Sequence, residues 1–223
     1  MGVASLRAAA VVLGFLSVLS FLVGAIVAAI AYRGKTGERF AFRNHYVSEL
    51  GEIGVSRLAA VFNASLVVGG LTPLPAFVLF AFGSDGSWVA IPGVSTGVAA
   101  GALLAMVGFF PVNAYAVHIV SARLFFTLFF PTQAFVTAAI VGHGGAGSPA
   151  GALVIAASAC CVAAYLSCLF GVPLLTGTTV GYFHTRISGT RPRIVPLAIG
   201  EWAVFFSATF WIAAFSTSLV LLA

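Results

Sequence analysis

Seven side chains carry what chemistry this sequence offers: His45, Ser48, Glu49, Asn63, His118, Arg123 and Glu201. If the segment around residues 44–51 is helical, His45 and Glu49, four apart, share one face. With His118 they would supply either a metal site or an acid/base pair. The sequence has neither a His-x-x-x-His nor a His-Glu-x-x-His spacing, so no metal or other cofactor is expected. Ser48 lies close to His45 and could suggest a nucleophile. The glycines of a nucleophile elbow do not frame it, because Tyr46 and Leu50 stand in their places.

Asn63, Arg123 and Glu201 are notable for where they sit. Each lies five or six residues beyond the start of an apolar run, counting from Arg57, His118 and Pro196. At the rise of an α-helix that is on the order of 7–9 Å below the start. The three runs begin on the same side, so the three side chains share one level, with His118 just above. Burying a charge in hydrocarbon costs about 2.5–3.5 kcal/mol even on insertion scales. An Arg and a Glu at one depth can form a bridge that only orients helices, line a polar pocket open to the headgroups, or snorkel separately to water.

The elements that must position these groups follow from composition. The chain has 223 residues, 61% hydrophobic and only 7% charged. A soluble domain carries about 25% charged residues. Lipid resolves the mismatch, and it requires every backbone polar group to be satisfied within the chain. Barrel strands alternate apolar and polar over roughly ten residues. The apolar runs here are continuous for about twice that, so helices are expected.

The expected fold is all-α, a single bundle of six transmembrane helices at about 8–31, 57–82, 88–110, 117–142, 149–172 and 196–222. The first run is too long for a signal-peptide core of about 7–15 residues, so it reads as a retained helix. Pro73 and Pro75 predict a kink in the second helix. Gly93, Gly97 and Gly101 recur every four residues and predict close helix packing. Cys160, Cys161 and Cys168 sit in one apolar run and read as small buried hydrophobes.

The net charge is +5. Its bases sit at the ends of apolar runs, which points to headgroups and topology and away from nucleic acid. Arg33, Lys35, Arg39, Arg43, Arg186, Arg191 and Arg193 fall on one face, with Arg57 and Arg123 close by, against Arg7 alone on the other. The positive-inside rule then puts segments 32–56 and 173–195 in the cytoplasm of a multi-pass cell-membrane protein. His143 and His184 fall in loops and are given no role. Trp202 reads first as an interfacial aromatic anchor.

Several of these residues stand together in a familiar order. Asn-His-Tyr-Val-Ser-Glu-Leu-Gly at 44–51 is followed by Phe62-Asn63, Gly108-Phe109-Phe110-Pro111, His118–Ala122, Phe125-Phe126 and Glu201-Trp202. The chain resembles the prokaryotic integral membrane family known as domain of unknown function 998. It is more distantly similar to the eukaryotic DRAM/FRAG six-helix family. The resemblance implies six helices and, from the eukaryotic branch, a role in membrane lipid handling; it implies no established reaction. This chain departs from the eukaryotic pattern by carrying its bases in the first loop and none in the second.

The expected function is therefore to bind or organise membrane lipids through a polar pocket at one face. The alternative is an intramembrane hydrolase or transferase using a His/carboxylate pair. A small-solute transporter ranks third. Membrane lipids are the expected partner, and a homo-oligomer is left open.

Overall fold

The computed structural model describes residues 3–83, 88–176 and 191–222. Among them the protein is all-α, and six helical segments are long and apolar enough to cross a membrane. This is a multi-pass membrane protein. Segment one is α1, Val3–Ala31. Segment two is a bent pair, α2 (Ala59–Leu71) and α3 (Pro73–Gly83). Segment three is α4, Ala90–Phe109, and segment four contains α5, Tyr115–Gly144. Segment five runs through α6 (Pro149–Leu166), a wide π-turn (Ser167–Gly171) and α7 (Val172–Thr176). Segment six is α8, Pro196–Leu221.

The break between α2 and α3 follows from covalent structure. Pro73 has no N–H to offer the carbonyl of Gly69, four residues back. In its place Ser17 of α1 donates its hydroxyl to that carbonyl at 2.7 Å. Interhelical bonds of this kind contribute about 0.6 kcal/mol each, up to roughly 1–2. Here the bond also fixes α1 against the elbow.

The glycine stripe on α4 packs as expected. A Cβ on Gly101 would stand 2.6 Å from the carbonyl oxygen of Gly70. On Gly97 it would press on the Phe77 ring, and on Gly93 on Phe135 and Val136. One small-residue face thus seats the bent second segment and α5 at once. The core between the segments is aromatic: Trp211 and Phe215 of α8 stack with Phe77, and Phe129 meets Trp211 edge-on.

The cysteines divide. Cys161 and Cys168 are buried, whereas Cys160 points outward, so the expectation of three buried thiols holds for two. His184 and Arg186 lie outside the described residues.

Candidate functional site

The segment between α1 and α2 is a folded plug. It starts where Tyr32 turns in at the end of α1, almost fully buried. A turn over residues 41–45 follows, then a single 3-10 helix, Val47–Gly51. The expectation of an α-helix through 44–51 is therefore corrected. His45 lies ahead of the short helix and Glu49 within it, so the i,i+4 face they were to share does not form.

Three transmembrane segments and the strip just ahead of α8 tie the plug in place. Glu201 of α8 accepts the N–H of Val47 at 2.7 Å. A carboxylate at the start of a helical turn meets N–H groups that have no partner within the helix. Next to it, Trp202 donates its indole N–H to the His45 carbonyl at 3.0 Å. Asn63 of α2 donates to the Gly51 carbonyl at 3.0 Å. Asn113, just before α5, exchanges two hydrogen bonds with Ile53, at 2.8 and 3.0 Å.

The fourth tie is ionic. Arg191 grips Glu49 with two nitrogens, at 3.0 and 2.8 Å, and donates to the Asn44 carbonyl at 2.6 Å. Asn44 returns a bond to the Pro192 carbonyl, and Val195 N–H meets the Arg43 carbonyl. Glu49 also accepts from Tyr46 N–H and from the Tyr32 hydroxyl. A two-pronged guanidinium–carboxylate pair is among the strongest and most directional polar contacts a protein makes.

The electrostatics follow from this wiring. Burial opposes the Arg191 charge, but the bonds to Glu49 outweigh it and its pKa is raised. The Tyr32 hydroxyl is pushed up by burial first and by the neighbouring Glu49 charge second. Tyr46 is pushed up to about 12 by burial, then by Glu201. His45 is lowered, first by burial and then by Arg191. Its ring packs against Tyr32 and Phe40, its Nδ1 meets Ala41 N–H at 3.2 Å and Asn44 Oδ1 at 2.8 Å, and its Nε2 is buried without a partner.

The expected site residues therefore separate. Glu201, Asn63, Glu49 and His45 do converge, on the plug rather than around an open pocket. Ser48 follows Val47 in the turn held by Glu201, while its hydroxyl is buried and unpartnered. His118 is buried on α5 and faces the Phe110 carbonyl at 2.9 Å, closing the last turn of α4 across Pro111. Among the described residues it makes no metal-ligand group with His45 and Glu49.

Arg123 is the correction. It is exposed on the outer side of α5, opposite the buried line Ser121, Phe125 and Phe129, and forms no ion pair with Glu201. Counting residues along a helix gives position along its axis and not direction around it. One sequence does match nucleophile-elbow spacing, Gly93-Val94-Ser95-Thr96-Gly97, but it lies inside α4. There Ser95 donates to the Ile91 carbonyl at 3.0 Å.

Arg191, Tyr32, Trp202 and Asn113 belong to the network without having been singled out for it. Trp202 adjoins Glu201, a local hint that the pair acts together. Arg191 meets Glu49 across 142 residues, and nothing in its neighbourhood marks it apart from the other arginines.

A groove of about 370 Å³ flanks the plug between α2 and α4, lined by Asn63, Ala60, Ala64, Val68, Gly108 and Phe109 among others. Comparison with known family models, curated proteins and solved structures finds no match.

Proposed function

We propose that the protein binds and organises anionic membrane lipids at the plugged face. The observation that carries this reading is an imbalance of charge. Arg33, Arg39, Arg43, Arg57, Arg123 and Arg193 are all exposed, and among the described residues none forms an ion pair. The acids of that face are already engaged. Glu49 holds Arg191, Glu52 holds Lys35 at 2.9 Å, Glu38 bonds Thr36, and Glu201 holds the plug.

Large apolar side chains are interleaved with these bases. Phe42 is 51% exposed and Ile194 57%, next to Arg43 and Arg193. The Val195–Arg43 hydrogen bond brings the two strips together. Arginines beside protruding apolar groups suit a surface at headgroup depth, where each base attracts anionic lipid by about 1 kcal/mol. The positive-inside rule assigns this face to the cytoplasm of the cell membrane. The resemblance to the domain 998 and DRAM/FRAG families, with its link to lipid handling, supports the same reading.

Both site histidines address backbone or amide groups rather than carboxylates. That favours binding over an enzyme built on a His/carboxylate pair. The test is lipid analysis of the purified protein against a variant with Arg39, Arg43, Arg123 and Arg193→Gln. Wild type should retain a several-fold excess of anionic lipid that the variant loses. Identical lipid in both overturns the proposal.

A further inference from the structure

We infer that the groove between α2 and α4 holds one acyl chain of an anionic phospholipid whose phosphate sits at Arg57. This rests on the lipid-binding reading and gives it a single defined site. The groove owes its depth to small residues. Ala60 and Ala64 form one wall, and Gly108 forms the floor. Gly108 is required there, since a Cβ would come within 2.5 Å of the Asn63 carbonyl oxygen and force α2 and α4 apart. A volume of about 370 Å³ takes roughly a dozen groups the size of a water or a methylene.

The occupant follows from position and charge. The groove opens outward from two membrane-spanning segments, so the molecules that reach it along its length are lipid tails. Ile53 and Pro111, from the connections at the plugged face, border one end. Arg57 stands in the turn just ahead of α2, two residues before Ala59, exposed and free of any ion pair among the described residues. A chain lying along Ala60, Ala64 and Val68 would leave its phosphate at headgroup depth, within reach of that guanidinium. Apart from Asn63, whose amide N–H₂ is engaged with Gly51, the lining named here is apolar.

Native mass spectrometry after reconstitution into phosphatidylcholine vesicles containing phosphatidylglycerol tests this. Wild type should keep one phosphatidylglycerol per chain. Arg57→Gln should lower the preference for phosphatidylglycerol over phosphatidylcholine about fivefold, the equivalent of about 1 kcal/mol. Ala64→Leu, which fills the groove from an exposed position, should abolish retention of either lipid. If both variants hold the lipid as wild type does, while Arg39, Arg43 and Arg193→Gln loses it, the groove assignment falls and the broader reading stands. If wild type shows no preference for phosphatidylglycerol, both fall.

Discussion

The two ends of this bundle are built on different principles. At the plugged end, the connections before α2, before α5 and before α8 are tied together by side chains from three transmembrane segments and by Arg191 ahead of α8, over separations up to 157 residues. At the other end, Arg7 of α1 makes one long contact, 3.3 Å to the Leu222 carbonyl, in a small cavity it shares with His143, Phe80 and Leu219. The transmembrane segments between them are packed mainly by small residues and rings. A bundle can therefore be held mainly by apolar packing, with scattered interhelical bonds such as Ser17 to Gly69, and still gather its longest-range polar ties at one surface. That surface is where a specific shape matters.

Breaking the ionic tie should separate the two ends most clearly. Glu49→Ala leaves Arg191 partly buried and unpaired and should cost about 3 kcal/mol. Hydrogen exchange should accelerate across 41–52 and 191–195 while the α3–α4 end stays protected. Glu201→Ala removes the acceptor of the Val47 N–H, and should cost about 2 kcal/mol by thermal unfolding in detergent. An unchanged melting temperature would show that the plug does not depend on α8.

Acid should act on one end only. The pKa of His45 is lowered in the folded protein, so the unfolded chain binds more protons near its ordinary value of about 6.5. Stability is then complete above that value and is lost as pH falls below it. From pH 6.5 to 5 the loss is at most about 2 kcal/mol. Protection of the 41–52 amides, taken relative to their intrinsic exchange rate at each pH, should fall over that range, and His45→Gln should flatten the fall. Gly51→Ala should cost about 1 kcal/mol, because a Cβ there meets the Asn63 amide oxygen and disturbs its bond to the Gly51 carbonyl. The smallest effect belongs to the sparse end: Arg7→Ala together with His143→Ala should shift stability by no more than about 0.5 kcal/mol.

The contrast also marks what the sequence could convey. Hydropathy gave six segments to within a few residues, and Pro73 gave the bend, because solvent and backbone chemistry act locally. That Glu201 and Asn63 would reach a common place was readable, since rise per residue is fixed and both meet the Val47–Gly51 turn. Direction around the axis was not, because these helices are apolar on every side and show no face to orient, and Arg123 was misplaced for that reason. The plug was hidden for another reason. Its form depends on Arg191, Glu201 and Trp202, none of which lies within a hundred residues of it.

That dependence bears on how the molecule comes to exist. The first loop leaves the ribosome long before Arg191 and Glu201, which follow it by 142 and 154 residues. At about 5–20 residues per second the delay is on the order of 10–30 s. Through that interval the nascent loop has its Asn63 and Asn113 ties but neither Arg191 nor Glu201, and Glu49 and the Val47 N–H must be served by water. Completion of the plugged surface thus waits on insertion of α8, and a chain stalled before it would display that face unfinished.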